Sequence, residues 1–479
     1  MEADPKDLTA QPILARLAQW GADFRLDAAG SPAAGLLRHA AVRSILDTIG
    51  VTLGGANRET ARIAAAHARQ QYAPGPCQVF AALPASGKKM NPTEGGLAGA
   101  GAAFANAVAA HVLDFDDTCY VGLAHGSAVV LPAALAAGQE TGASGLDLLE
   151  AFIVGSEIAY QIGALLTDSF YFKGFWNTGV LGAVGAAAAV ARIRGLPAPR
   201  IADAMALAAN QIIGLRACLG TRAKPVLAGR AAETGFSAAL LAGSGIDGPV
   251  AVLEGANGWR TVLGDGTLER HRYETLGESL VVLSPGVAFK RYPVCSAAQA
   301  AVEAVQDLLA ENTLNGAAVD RVVCAVTPLV HISLRYPQPA TPAESQFSMP
   351  FAIGCILAFG ALTPAEITPE RLADPALRAA MARVHMEQDP HLADDPERLA
   401  AYPEGARVTL ILHDGRRLTR FQGLATGMPE RPLSDLQLET KFRNCAEATL
   451  EPEAIETLLA RIRHLERQPD LRTLFSTGL

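Results

Sequence analysis

The 479-residue chain is 50% hydrophobic and 18% charged, and it carries a net charge of −8. This length predicts two or three domains, and the apolar content predicts a large buried core rather than a disordered chain. The acidic balance argues against a nucleic-acid partner, because binding to phosphates needs a basic face. A small anionic substrate is still compatible, since a few local lysines and arginines can form a positive pocket on an acidic protein.

The predicted elements begin with a mostly helical region that extends from residue 8 to about residue 280. Several of its helices are apolar on all sides, which predicts that they lie inside a bundle rather than on its surface. The predicted helices cover residues 37–48, 59–70, 95–113, 127–141, 145–167, 179–195, 200–215 and 229–244.

The composition changes near Ser284-Pro285-Gly286, after which β-strands are predicted. Residues 318–326 are rich in β-branched side chains, and the alternating runs 406–412 and 416–421 flank an Asp-Gly turn, which predicts a β-hairpin. Helical segments are predicted between these strands and again near the C-terminus, at residues 296–309, 347–359, 369–384, 436–445 and 452–466.

These patterns predict a mainly α fold, in which a large all-helical domain carries an inserted, smaller α/β lid domain. The predicted boundaries are 1–284 for the first part of the helical domain, 285–428 for the lid, and 429–479 for helices that return to the helical domain. Ligand sites often lie in clefts between domains, so we expect the site there.

The seven cysteines are scattered and form no C-x-x-C pair, which does not support a disulfide framework, a zinc site or an iron–sulfur cluster. No secretory signal is visible at the N-terminus. The most apolar stretches, 97–113 and 178–190, are shorter than the roughly 20 residues that span a membrane. We therefore predict a cytoplasmic protein with no membrane partner.

The most conspicuous polar string is HVLDFDDT at residues 111–118, followed by His125-Gly-Ser. It places carboxylates, a hydroxyl and imidazoles between two apolar helices, where ionised side chains are costly unless they are paired or used. Helix capping by Asp116, Asp117 and Thr118 is the simpler structural explanation. The D-x-D-x-T pattern also matches haloacid-dehalogenase-like phosphatases, but their first aspartate follows a buried strand, whereas the segment before Asp114 favours a helix.

Two further segments place cations in apolar surroundings. The first contains Arg222 and Lys224, and the second contains Lys290 and Arg291; both are predicted to form turns before helices. Such loops suit an anionic substrate, because arginine can hold a carboxylate with two parallel hydrogen bonds. A single Lys-Arg pair is more often a solvated loop, so the occurrence of two in apolar surroundings is the informative observation.

Together these motifs resemble the MmgE/PrpD family. The resemblance covers nearly the whole chain in the same order and is carried by residues 111–118, 125–135, 145–160, 174–179, 221–229, 289–293 and 346–351. It implies the fold predicted above, a homodimer and an enzyme without a metal or other cofactor. Its members include 2-methylcitrate dehydratases, cis-aconitate decarboxylases and an iminodisuccinate epimerase.

The resemblance implies active-site roles for Asp114, Thr118, His125, Lys224 and Lys290. We predict His125 as the acid or base nearest the chemistry, Asp114 as its partner, and Lys224 and Lys290 as catalytic cations, either of which is the base if burial lowers its pKa. The predicted substrate-binding residues are Thr118, Arg222, Arg291, Gln299, Ser348 and Trp176.

The sequence also departs from the family at several of these positions. Trp176-Asn177 stands where many members have His-Pro, and Gln299 stands where a histidine is common. Leu227 and Phe351 replace a frequent histidine and a frequent tyrosine.

The resulting prediction is a hydro-lyase that acts on a small di- or tricarboxylic acid by proton abstraction next to a carboxylate. Epimerisation and decarboxylation remain open, because one pocket that stabilises charge beside a carboxylate serves all three reactions. A member that binds carboxylates without turnover is the non-enzymatic alternative.

Overall fold

The computed structural model describes residues 11–26, 32–81, 95–166, 169–212 and 214–476. Its first part is helical, with a short strand β1 (Pro74–Cys77) between the third and fourth helices. The helices are α1 (Ile13–Asp23), α2 (Pro32–Ala56), α3 (Glu59–Gln71), α4 (Gly99–His111), α5 (Ser127–Thr141), α6 (Gly145–Leu166), α7 (Ser169–Phe172), α8 (Asn177–Ile193), α9 (Ala198–Ala209), α10 (Ala223–Gly243), α11 (Trp259–Val262) and α12 (Arg270–Glu274).

Small side chains allow the central helices to pack closely. Helix α10 packs against α4 and α8, and α8 packs against α6. Nearly every residue of α4, α5 and α8 is buried, as their uniformly apolar sequences predict. Helix α6 is long and apolar enough to cross a membrane by length and composition alone, but 94% of its apolar stretch is buried inside the protein.

A mixed α/β region follows. It contains α13 (Ser296–Glu311), β2 (Val319–Val326), α14 (Pro328–Ser333), α15 (Pro342–Ser345), α16 (Met349–Phe359), α17 (Pro369–Ala373), α18 (Pro375–Met381), β3 (Val384–Gln388), α19 (Pro390–Ala393), α20 (Pro396–Ala401), β4 (Ala406–Leu412) and β5 (Arg417–Gln422).

The strands β2 to β5 form one sheet in the order β3-β2-β4-β5, in which only the β2–β3 pair is parallel. Side chains of β4 alternate between buried and partly exposed positions. The buried face of the sheet shares a hydrophobic core with α13 and α16. The predicted hairpin of β4 and β5 is thus confirmed.

The last two helices, α21 (Asp435–Ala446) and α22 (Pro452–Arg463), return to the helical region. Both pack against α2, and they share a core with it that includes Ile45, Phe442 and Ile455. The mainly α fold is confirmed; closure of the α/β region as a lid remains a prediction.

Two predictions of local structure were wrong. The predicted helix 369–384 is broken, because the Asp374 side chain caps a new helix that starts at Pro375, and the chain then forms β3. The predicted turn around Lys224 is instead the first turn of α10, with Pro225 in that turn, where its missing N–H is not needed.

The close packing of α10 on α8 gives a testable prediction. A Cβ atom added at Gly235 would lie 2.6 Å from the carbonyl oxygen of Ala183, whereas one added at Gly243 would lie 3.5 Å from the nearest atom of Leu196. We expect Gly235→Ala to lower the free energy of unfolding by about 1–3 kcal/mol through overpacking. The matched variant Gly243→Ala should not lower it, because alanine favours helices.

Urea unfolding of both variants and the wild type measures this difference. Equal stability of the two variants would contradict the packing described between α8 and α10.

Candidate active site

The polar string lies in the connection between α4 and α5, which begins after His111 and ends before Ser127. Asp114, Asp116 and Asp117 are each at most 2% exposed. Asp114 has a φ of 49°, a left-handed conformation that aspartate tolerates better than most residues. The connection therefore turns sharply with its carboxylates inside the protein.

Two lysines from distant parts of the chain meet the carboxylate of Asp114. Lys224 donates to Oδ1, and the Lys290 Nζ lies 3.3 Å from Oδ2 and donates to the Asp114 carbonyl oxygen at 2.8 Å. Burial alone would raise the pKa of Asp114, but Lys224 and Lys290 hold it well below its usual range. The carboxylate is therefore ionised, and the cluster of two ammonium groups and one carboxylate has a net positive charge.

This cluster also bears on which residue acts as the base. Burial would lower the pKa of Lys290, but the nearby carboxylates of Asp114 and Asp116 outweigh it and raise that pKa above its ordinary value. Lys290 was predicted to be the base only if burial lowered its pKa, and that condition is not met in this structure.

Two histidines share the neighbouring carboxylate, that of Asp116. The Nδ1 atom of His111 lies 2.8 Å from Asp116 Oδ2, and the Nδ1 atom of His125 lies 3.5 Å from the same oxygen. The ring centroids of the two histidines are 5.0 Å apart. Asp116 therefore lies beside both imidazoles. Asp114 was predicted to be the partner of His125, but its carboxylate pairs with the two lysines instead.

The hydrogen bonds of His125 indicate its tautomer. Its Nδ1 lies 2.8 Å from the carbonyl oxygen of Asp117, and because a carbonyl only accepts, Nδ1 carries the hydrogen. Burial and then Lys290 lower the pKa of His125 to about 3, so the ring is neutral near pH 7. The Nε2 lone pair has no hydrogen-bond donor among the residues that the structure describes, which leaves it available as a base.

A second layer of polar contacts holds this connection in place. Ser127 Oγ donates to Asp117 Oδ2 at 2.6 Å. Lys441 on α21 lies 2.7 Å from Asp47 on α2 and donates to the Phe115 carbonyl oxygen at 2.7 Å. The C-terminal helices therefore take part in positioning the connection.

A cavity of about 600 Å³, partly open to solvent, lies between the helical and α/β regions. The helical region contributes Asp114, Thr118, Tyr120, Leu123, His125, Tyr171, Trp176, Leu219 and Lys224 to its wall, and the α/β region contributes Cys295, Ser296, Leu329, Ser333, Phe347 and Glu404. An adjoining cavity of about 420 Å³ shares Thr118, Tyr120, Ser296 and Glu404 and is also lined by Lys290 and Gln299. The two cavities therefore lie where the helical and α/β regions meet, and the division of these regions into domains remains a prediction.

Seven of the predicted site residues line these cavities: Asp114, Thr118, His125, Trp176, Lys224, Lys290 and Gln299. Trp176 also stacks near His111, with ring centroids 5.5 Å apart, and lies 6.0 Å from the Lys224 ammonium. The indole ring of Trp176 therefore forms part of the cavity wall beside the Lys224 ammonium group.

Three of the predicted substrate-binding residues lie elsewhere. Arg222 is on the surface and pairs with Glu59, because the first turn of α10 directs it away from the cavity. Arg291 is exposed, with its guanidinium over the ring of Tyr292. Ser348 is buried as the N-cap of α16, where its side chain accepts from the Phe351 N–H. These predictions are corrected.

Gln299 lines the adjoining cavity, but its amide already has four backbone partners. Its Oε1 accepts from the N–H groups of Arg291 and Tyr292, and its Nε2 donates to the carbonyl oxygens of Tyr292 and Val294. Gln299 therefore holds the loop that carries Lys290, and a direct contact with substrate remains a prediction.

The sequence reasoning missed Tyr120, Ser296 and Glu404. The Tyr120 hydroxyl donates to Glu404 Oε2, and Ser296 Oγ donates to Oε1 at 2.8 Å. Glu404 lies in a loop before β4 with no motif around it, so only the tertiary structure brings it to the cavity.

Among the described residues, His111, Asp116 and His125 could together hold a metal ion, because their ligand atoms lie within 4.8 Å of one another. In this arrangement the Nδ1 of His111 is hydrogen-bonded to Asp116, and the Nδ1 of His125 is hydrogen-bonded to the Asp117 carbonyl oxygen. The predicted absence of a metal remains a prediction, and the assay proposed below tests it.

Two models of one protein family match most of the chain. The MmgE/PrpD N-terminal domain matches residues 15–271, and the MmgE/PrpD C-terminal domain matches residues 292–466. The chain belongs to the MmgE/PrpD family. The predicted family membership is confirmed.

This MmgE/PrpD protein is similar to cis-aconitate decarboxylases. It is 29% identical to that of Homo sapiens over 383 residues, which cover 78% of each chain. It is 28% identical to that of Mus musculus over 388 residues, which cover 78% of this chain and 77% of the relative. It is 25% identical to that of Aspergillus terreus over 426 residues, which cover 84% and 83%.

The buried Asp117 gives a prediction on stability. Burial raises its pKa from 3.8 to about 8, despite the hydrogen bond from Ser127. Between these values the folded state retains a proton that the unfolded state has released, so the free energy of unfolding falls as the pH rises, by up to about 1.4 kcal/mol per pH unit. Asp117→Asn keeps an acceptor for Ser127 without this titration, so its stability relative to the wild type should increase as pH rises from about 5 to about 8.

Urea unfolding at a series of pH values measures this trend, with Asp247→Asn on the exposed surface as the control. A constant difference between Asp117→Asn and the wild type over that range would show that Asp117 does not retain a proton in the folded state.

Proposed function

We propose that this protein is a lyase that acts on a small di- or tricarboxylate by moving a proton at a carbon next to a carboxylate, without a metal or other cofactor. The observation that carries this proposal is a neutral His125 beside two lysines that share the single carboxylate of Asp114. The lysines supply positive charge for substrate carboxylates, and the imidazole can accept a proton from carbon.

The reaction follows from the charges that develop. His125 Nε2 takes the proton from the carbon next to a carboxylate, and the electron pair moves into that carboxylate to give a dianionic enediolate. Lys224 and Lys290 stabilise this charge in a cavity whose buried walls strengthen electrostatic interactions. Loss of a β-hydroxyl group then completes a dehydration, which is the reaction predicted from the sequence.

Decarboxylation is the second candidate, and the decarboxylase relatives favour it. In that case a carbon–carboxylate bond breaks and carbon gains a proton, and the same lysines stabilise the electron pair that is left on carbon. The substrate proposed for both reactions is a compact acid with two or three carboxylates.

The proposed base becomes stronger when the substrate binds. In the free protein the lysines oppose a positive charge on His125, and its pKa is about 3. Substrate carboxylates add negative charge beside the lysines, which lowers the cost of protonating the imidazole. The pKa of His125 should therefore rise in the complex.

This gives a prediction for the pH dependence of activity. The acidic limb of kcat/KM reports the free enzyme, and that of kcat reports the complex. After correction for ionisation of the substrate, we expect the limb of kcat/KM well below pH 6.5, the ordinary pKa of histidine, and that of kcat at a higher pH.

His125→Asn should lose about 10²–10⁴-fold in kcat, whereas the exposed His413→Gln should keep wild-type activity.

The reaction itself is tested by proton NMR in D₂O with EDTA-treated protein. The substrates are 2-methylcitrate, citrate, cis-aconitate, iminodisuccinate, malate and tartrates. We expect deuterium at a carbon next to a carboxylate, and the product identifies dehydration, decarboxylation or epimerisation. Absence of exchange and turnover with every acid would overturn the proposal, and activity restored only by a divalent metal would overturn its cofactor-free part.

A further inference from the structure

Among the described residues that line the cavity, Glu404 is the one carboxyl group that the α/β region contributes, and its partners differ from those of Asp114. Asp114 is paired with two lysines, whereas no ion pair to Glu404 occurs within 4.0 Å among the described residues. Among the described residues, the side chain of Glu404 accepts hydrogen bonds from the hydroxyl groups of Tyr120 and Ser296. It also lines both cavities, so it faces the space available to a substrate.

The surroundings of Glu404 favour its neutral form. Burial raises the pKa of Glu404, and the hydroxyls of Tyr120 and Ser296 together with the charge of Lys290 offset this only in part. A second ionised carboxylate would also repel a polyanionic substrate, so binding adds a further preference for the neutral acid. In its neutral form Glu404 carries an O–H group at the wall that both cavities share.

We propose that Glu404 is the proton donor of the reaction, a role that rests on the proposed lyase function. It lines one cavity together with His125 and Lys224 and the adjoining cavity together with Lys290, and its hydrogen bond with Tyr120 joins the α/β region to the helical region. His125 thus accepts a proton, the lysines stabilise charge, and Glu404 delivers a proton.

The proton balance is complete in either lyase reaction. In a dehydration, His125 takes the proton from carbon, the electron pair forms the double bond, the C–O bond breaks, and the Glu404 proton leaves with the hydroxyl group as water. In a decarboxylation, the C–C bond breaks, CO₂ leaves, and the electron pair left on carbon takes the Glu404 proton. Solvent then restores the proton on Glu404, and in a dehydration it also receives the proton held by His125.

Tyr120 and Ser296 act as positioning residues in this proposal. Each donates to a different oxygen of Glu404 and thereby fixes the plane of the carboxyl group. Removal of one hydroxyl leaves the proton donor present but less well oriented, so Tyr120→Phe should lower kcat less than loss of the carboxyl group does. It should also raise the pKa of Glu404 further, since a hydrogen bond that favours the ionised form is lost.

The test compares Glu404→Gln with the wild type by kinetics and by infrared difference spectroscopy. Glutamine keeps the size and the hydrogen-bonding ability of the side chain but cannot donate a titratable proton. We expect kcat to fall about 10²–10⁴-fold with little change in KM. Glu254→Gln is the matched control, because Glu254 is also a buried glutamate with a raised pKa, but it accepts a hydrogen bond from the Ile13 N–H far from the cavity.

The infrared measurement does not depend on activity. Near pH 7 the wild type should show the carbonyl band of a neutral carboxylic acid that is missing from Glu404→Gln, and this band should fade as pH rises. Absence of the band, or a Glu404→Gln variant with wild-type kcat, overturns the proposal. If the band is present but no acid in the panel is turned over, the lyase function itself is overturned, and the proton-donor role falls with it.

Discussion

The ion-pair cluster of Asp114, Lys224 and Lys290 is the interaction on which the rest of the site depends. It joins the α4–α5 connection to the first turn of α10 and to the loop that leads into the α/β region. Removing the carboxylate would leave two buried ammonium groups without a partner, a change that typically costs about 3–5 kcal/mol. The cluster therefore fixes the geometry of three segments and also gives the cavity its positive charge.

The titratable groups around this cluster differ in their charge states. Lys224 and Lys290 hold the pKa of Asp114 low, His111 holds that of Asp116 low, and burial together with Lys290 keeps His125 neutral. Burial instead raises the pKa values of Asp117 and Glu404, neither of which forms an ion pair with these lysines among the described residues. Ionised carboxylates, a neutral imidazole and carboxyl groups with raised pKa values thus lie close together around the α4–α5 connection and the cavity. Proton transfer needs such neighbouring groups with different pKa values.

Helix packing brings these groups together. The alanine- and glycine-rich faces of α4, α8 and α10 let their backbones approach closely, and this places the end of α4 near the start of α10. The return of α21 to α2 adds Lys441 under the same connection. The site is therefore held by helices from both ends of the chain rather than by local turns.

The sequence by itself determined the mainly α fold, the hairpin of β4 and β5, the family, and the residues Asp114, His125, Lys224 and Lys290, because apolar periodicity, turn residues and motif order are local properties. The sequence did not show which way individual side chains point. Arg222 and Lys224 are two residues apart, yet one faces solvent and the other the cavity, since a helix separates such positions by about 200°.

Only the tertiary structure decided that the lysines engage Asp114, that Asp116 is shared by two histidines, and that Glu404 reaches the cavity. Most of these contacts join residues that are far apart in the chain. The charge states of the residues also depend on their burial, which a local sequence pattern does not indicate.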